Sequence, residues 1–352
     1  MKQFLNRISG QSLIELIIAL TIGGIFITAA TSAIYLVLRN SLEVRMNQIA
    51  SFLAQEYFDN INAISQSRWL EIYCPPSGVC PGNPKGSNSQ FHLIASSTTY
   101  VLEAGASSTV IEGENFTRYF SIENINRDSC GIGNITNAAT STSCSVWPSS
   151  GEVLEDPSTQ KVTIIINWKN NGSLVRSVYL TRNRNFNFKQ SDWSDGSGQE
   201  FFPTSTGAAV VNNKFTTSTN MSFSGGNGGN IYQTSTSTSA KLTSSVFEFF
   251  SQSTGQSKAA INTISWNGNL NGNPSASVKF QIAATSSPSG PWNYYGPDGT
   301  SGVYYETSGP GAVKSVNLQY NNNYRYFRYK IFVSSTQPYG PKVDEINISW
   351  SP

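Results

Sequence analysis

Histidine is almost absent from this chain of 352 residues; His92 is the single one. Charge is scarce as well. Lys and Arg number 23, Asp and Glu 21, and charged residues make up 12% of the sequence, about half the share usual in soluble domains. With a formal net charge of +2, no field of one sign selects nucleic acid or an acidic partner. The basic residues are scattered and form no stripe of the kind that tracks a phosphate backbone. The surface must therefore be covered by Ser, Thr, Asn and Gly, which fill the second half of the chain. With 16 Tyr and 7 Trp, this is the composition of secreted β proteins rather than of cytosolic enzymes.

The signatures of catalysis are missing too. There is no P-loop, GxGxxG, HExxH or GxSxG segment. Gly225-Gly226-Asn227-Gly228-Gly229 lacks the flanking strand and helix that phosphate binding requires, so it reads as a loop. His92 sits in a strand-like run and reads as structural. Glu112 and Glu114, or Asp344 and Glu345, are not spaced for paired acid–base work. The expectation is a non-enzymatic protein with no cofactor. No metal is expected either. Asp192 and Asp195 lack the twelve-residue calcium-loop spacing, and the cysteine intervals are not CxxC.

The four cysteines, Cys74, Cys80, Cys130 and Cys144, all lie in Ser/Pro/Gly-rich sequence in the first half. Three pairings are open, of which the local pairs 74–80 and 130–144 are the simplest. An even count in loop sequence favours disulfides in an oxidising compartment; free thiols are the alternative.

The long hydrophobic run comes early. MKQFLNRISG, residues 1–10, carries only Lys2 and Arg7 as charges. Residues 13–38 are apolar except for a few small polar side chains and Glu15, and Arg39 ends the run. That is enough to cross a bilayer, which takes about 20 residues, and the basic leader keeps its end cytoplasmic. A secretory signal has a shorter apolar core followed by its cut site; here the order is reversed. A carboxylate inside such a segment is costly and points to a function.

Gly10-Gln11-Ser12-Leu13-Ile14-Glu15 resembles the processing motif of type IV prepilins and type II secretion pseudopilins. The resemblance implies cleavage after Gly10 by a prepilin peptidase and methylation of Gln11. Glu15, fifth in the mature chain, would pair with the α-amino group of a neighbouring pilin subunit, and an inner-membrane assembly platform would be the further partner. The implied location is the cytoplasmic membrane as prepilin, then the filament at the cell surface. Most members carry Phe where this chain has Gln11, a departure that resembles minor pilins and pseudopilins.

Beyond the membrane, Leu42, Met46, Ile49, Leu53, Tyr57, Ile61 and Ile64 recur at helical spacing. The same helix should therefore lie on a sheet. Strand-like runs follow at residues 91–95, 99–103 and 116–122. Residues 161–182 alternate on both sides of Asn170-Asn171-Gly172, a strong hairpin signal. The fold class expected is α+β: a long N-terminal pilin helix on an antiparallel sheet, then an all-β sandwich. The expected divisions are a leader (1–10), a transmembrane and assembly helix (11–40), a pilin head (41–189), a Gly/Ser/Asp-rich linker (190–207) and the sandwich (208–352).

Within the last region, strands are predicted at residues 244–250, 259–266, 276–283, 303–306, 313–318, 324–333 and 343–350. Phe327, Tyr329, Ile331 and Val333 form the face to be buried; Tyr326, Arg328, Lys330 and Phe332 form the other. The runs RYFRYKIFV (325–333) and VDEINISW (343–350) resemble jelly-roll modules of the discoidin or carbohydrate-binding kind. Trp292, Tyr294, Tyr295 and Asp298 form a candidate ligand loop for a glycan or cell-surface partner, since rings stack on sugars and Asp binds hydroxyls. The alternative is that these rings pack a loop onto the sandwich. The function expected is a minor pilin displaying a β-sandwich for adhesion. The rivals are a membrane-anchored carbohydrate-binding protein or hydrolase outside any filament.

Overall fold

A computed structural model of the chain describes residues 13–75, 85–96, 99–141, 144, 151–169, 171–193, 201–202, 215–223, 229–234, 240–249, 258–273, 275–336 and 340–352. Helix α1 (Leu13–Ser67) has 55 residues, so it is about 80 Å long at 1.5 Å per residue. Its two halves have different surroundings. The N-terminal half is apolar enough to cross a membrane, and its most apolar stretch is unburied among the described residues. A helix suits that environment because every backbone group is satisfied internally. The hydroxyls of Thr21, Thr28 and Thr31 donate back to the carbonyls of Ile17, Gly24 and Ile27 at 3.0, 2.8 and 2.7 Å, which removes their own need for water. The helix runs unbroken through Gly23 and Gly24.

In the other half Ala50, Leu53, Ala54, Tyr57, Ile61 and Ile64 are buried on one face. The predicted stripe began at Leu42, but Leu42 is 56% exposed because the sheet begins only near Met46 and Ile49. Helix α2 (Trp69–Tyr73) follows, anchored by Trp69 Nε1 donating to the Pro157 carbonyl at 2.9 Å.

The head sheet contains β1 (Phe91–Ser96), β2 (Thr99–Ala104), β3 (Ser107–Ile111), β4 (Glu114–Arg127), β5 (Ile135–Thr136), β6 (Leu154–Trp168) and β7 (Gly172–Thr181). Its order is β2-β1-β4-β6-β7, antiparallel throughout, with β3 and β5 also paired to β4. The predicted hairpin is β6–β7, in register Val162↔Val178 and Ile166↔Leu174. Its turn uses Asn171 at φ 60°, a conformation Asn tolerates. Phe116, Phe120, Ile122, Val162, Ile164 and Ile166 meet the buried helix face. The Tyr57 and Phe120 rings meet edge to face, 6.0 Å between centroids.

A second, separate core follows. Its strands are β8 (Phe186–Gln190), β9 (Phe201–Phe202), β10 (Phe215–Thr219), β11 (Met221–Phe223), β12 (Ile231–Gln233), β13 (Ala240–Ser244), β14 (Val246–Glu248), β15 (Ala260–Asn269), β16 (Ser277–Thr285), β17 (Tyr305–Glu306), β18 (Lys314–Ser315), β19 (Tyr326–Ser334) and β20 (Lys342–Ser351). One sheet runs β10-β13-β19-β14-β9, with β16 on the other side of β19 and β17 on β16. The other runs β11-β12-β20-β15-β18, with β8 also beside β20. All pairs are antiparallel except β9–β14. Phe327, Tyr329, Ile331 and Val333 of β19 are buried in the shared core with Ile264, Trp266, Ile346 and Ile348 of the opposite sheet, as alternation predicts. Tyr326 departs from the alternation and is 8% exposed, with the Arg325 guanidinium 5.2 Å from its ring.

The sequence placed residues 186–189 at the end of the head and 190–207 in a linker. In the structure Phe186–Gln190 pairs with β20, from Phe186↔Trp350 to Gln190↔Ile346. Trp193 is fully buried, its Nε1 3.2 Å from the Tyr329 hydroxyl, and that hydroxyl donates to Gln190 Oε1 at 2.5 Å. The apolar alternation of Phe186 and Phe188 against an open edge of β20 outweighs the loop-like composition that follows.

Candidate functional site

Glu15 lies in the first described turn of α1. It is exposed, and so are its neighbours Leu13, Ile14, Leu16 and Ile17, at 75, 66, 56 and 49%. Among the described residues no basic side chain pairs with it. Gly10 and Gln11 lie outside the described residues. Farther along, a groove of about 830 Å³ opens between the helix and the end of the β6–β7 hairpin, lined by Tyr35, Leu38, Leu42, Met46 and Trp168.

Cys130 and Cys144 form a disulfide with Cα atoms 5.5 Å apart, buried against Leu154. Cys74 is buried; Cys80, its expected partner, lies outside the described residues. His92 Nε2 is 3.4 Å from Glu103 Oε2, its cross-strand partner on β2, which gives the histidine a structural role.

At the junction of the two cores, Tyr73 donates to Glu155 at 2.9 Å and Lys85 to Gln160 Oε1 at 3.0 Å. Burial lowers the Lys85 ammonium to about 8, against the opposing pull of Glu155. Burial, then the charge of Glu155, raises the Tyr73 phenol. Arg182 joins the head to the sandwich through Pro352, Asn322 and Asn323.

The candidate ligand loop divides into two parts. Tyr295 exchanges backbone hydrogen bonds with Ile282 and its ring sits 5.7 Å from Tyr320. Asp298 closes its own turn, accepting from the Thr300 amide and hydroxyl at 2.9 Å. These two residues are used by the fold. Trp292 and Tyr294 instead lie over the outer face of the β19 sheet. There the Arg328 guanidinium is 5.5 Å from the Trp292 ring, and Lys330 Nζ is 3.9 Å from the Tyr294 ring. Burial pushes the Tyr294 phenol up to about 12, with Arg328 opposing. The loop therefore does not bring its four residues to one point. Arg328 and Lys330 were legible as outward residues; that Lys241 joins them follows only from the pairing of β13 with β19.

Residues 5–31 match the family described as the prokaryotic N-terminal methylation motif. The chain is thus type IV pilin-like: the motif implies a prepilin peptidase and pilus assembly machinery as partners, and with the apolar helix it indicates membrane insertion followed by a pilus or surface location. Among solved structures, a carbohydrate-binding module of the β-sandwich superfamily is similar at 12% identity and a TM-score of 0.22, over 70% of this chain and 97% of that one. Infectious bursal disease virus of the Gt strain is similar at 8% identity and a TM-score of 0.23, over 77% and 58%. The Gx strain is similar at 8% and 0.20, over 76% and 69%. At these scores the likenesses support no conclusion about ligand. No curated protein matches the chain.

Proposed function

We propose that this type IV pilin-like chain is a minor subunit of a type IV pilus or pseudopilus, and that it carries its C-terminal sandwich outward for surface adhesion. The observation behind this reading is the division of α1. One half is held on the head sheet; the other is apolar, unburied among the described residues, and carries Glu15 in its apolar stretch. In the proposed mechanism the peptidase cuts after Gly10 and Gln11 becomes the methylated N-terminus. The helix then leaves the membrane for a bundle of like helices. Glu15 accepts the α-ammonium of a neighbour there, since two opposite charges buried together cost far less than either alone. That pairing fixes the axial register between subunits.

The second core adds bulk beside the head, which suits a tip or sparse position better than every site along a shaft. The test is mass spectrometry of the mature N-terminus, together with immunogold labelling of sheared filaments. A methylated Gln11 and sparse or terminal labelling are expected. An intact leader, or a chain confined to the cell membrane, would overturn assembly in favour of a plain membrane-anchored surface protein. Dense regular decoration would overturn the minor position.

A further inference from the structure

Among the described residues, the outer face of the β19 sheet gathers Lys241, Lys279, Arg328 and Lys330. Strand register places Lys241 of β13 and Lys279 of β16 on either side of Phe332, and Thr243 and Gln281 on either side of Lys330. Lys279 is paired with Glu306 at 3.2 Å. Lys241 is exposed and Lys330 half-buried, and no carboxylate among the described residues pairs with either. Arg328, the next outward residue, is fixed by the Ser244 carbonyl at 2.8 Å and by the Thr216 hydroxyl. Burial first, then the like charges of Lys241 and Arg328, push the Lys330 ammonium below its ordinary value. An anion arriving here would relieve that repulsion.

The rest of the face is aromatic and hydroxylated. The loop before β17 lays Trp292 and Tyr294 beside the cations, and the Tyr294 hydroxyl is buried without a hydrogen-bond partner among the described residues. On the other side, exposed Thr217 and Thr219 of β10 stand in register with Thr243 and Lys241. A nucleic acid would ask for a longer basic track, since each phosphate it presents wants its own Lys or Arg. A sugar chain with spaced acidic groups needs few cations, several hydroxyl partners and a ring edge, which is what this face offers.

We infer that this face binds an anionic polysaccharide, its carboxylate or sulfate groups held by Lys241 and Lys330 and its hydroxyls by Thr217 and Thr219. The inference rests on the display reading above, in which the sandwich faces outward, and does not depend on assembly into a filament.

The test is affinity electrophoresis of the full chain in detergent, in native gels containing polygalacturonate, dextran sulfate or neutral dextran, with single-stranded DNA as competitor. Retardation by polygalacturonate, dextran sulfate or both, and not by neutral dextran, is expected; which of the two acts identifies the acid group. The double variant Lys241→Gln/Lys330→Gln should bind at least about tenfold more weakly. Lys330→Arg, which keeps the charge, should retain binding, and Lys314→Gln on the opposite sheet should leave it unchanged. Absence of retardation, equal retardation by neutral dextran, tighter binding of DNA, or undiminished binding by a double variant with native circular dichroism would each overturn the inference. Binding by a chain that proves absent from filaments would leave this inference standing and remove only the assembly reading.

Discussion

The Nε of Arg182 donates to the carbonyl oxygen of Pro352 at 2.7 Å, while its Nη1 donates to Asn322 Oδ1 at 2.7 Å and Asn323 Oδ1 at 3.2 Å. One guanidinium just past β7 therefore ties the head to the loop at Asn322 and Asn323 and to the end of β20. Removing a charged donor that leaves acceptors half-buried costs about 2 kcal/mol. Arg182→Ala is expected to separate the thermal transitions of the two cores and to expose residues 182–186 to protease. Calorimetry with unchanged transitions, joined to unchanged cleavage, would show that the arginine does not couple them.

The Cys130–Cys144 disulfide closes a loop with a sequence separation of 14. A loop of that size restricts the unfolded chain by about 3 kcal/mol. The double variant Cys130→Ser/Cys144→Ser should lower the urea midpoint of the head by a corresponding amount and leave that of the sandwich in place. Equal loss from both would mean that the disulfide also supports the junction.

Lys85 carries the clearest pH signal. Its folded value of about 8 lies below the ordinary 10.5. Between those values the unfolded chain binds the proton and the folded chain releases it, so stability rises with pH. Below pH 8 both states are protonated and the full cost of burying the charge is present. Above about 10 the trend reverses, because Tyr73, Tyr305 and Tyr329 have raised phenols that stay neutral in the fold but ionise when unfolded. Denaturation midpoints at pH 7.5 and 9.5 should differ in this direction, and the difference should shrink in Lys85→Gln.

Phe120 is fully buried and meets Tyr57 from the sheet side. Phe120→Ala should destabilise the head by about 3–5 kcal/mol. Hydrogen exchange should rise first across residues 50–64, where the helix rests on the sheet. Faster exchange confined to the sheet would show that the helix is held by other contacts.

Much of this architecture was readable from period alone. The stripe ending in Tyr57, Ile61 and Ile64 announced a helix on a sheet, and Phe327, Tyr329, Ile331 and Val333 announced the inner face of β19. Both are local patterns written by one element. The start of the sandwich was hidden because Phe186–Gln190 is short, is followed by loop-like residues and is defined by a partner more than 150 residues away, Trp350 pairing with Phe186. The basic face was hidden for the same reason. Arg328 and Lys330 are visible two positions apart, but Lys241 reaches them through a pairing that no local period encodes. Asp298 shows the limit of local reading, since an acidic residue beside rings reads the same whether it caps its own turn, as it does here, or faces a ligand.

The strand that enters the sandwich, β8, lies directly beside β20, and the residue after β20 is the one Arg182 holds. A pull on the sandwich from outside therefore reaches the head by two parallel routes, the covalent connection after β7 and the guanidinium clamp. Along the first route, the ladder of β8 on β20 meets tension directed along the strands as shear, so its hydrogen bonds are strained together and must fail together. The junction is in this sense a mechanical coupling between the two cores.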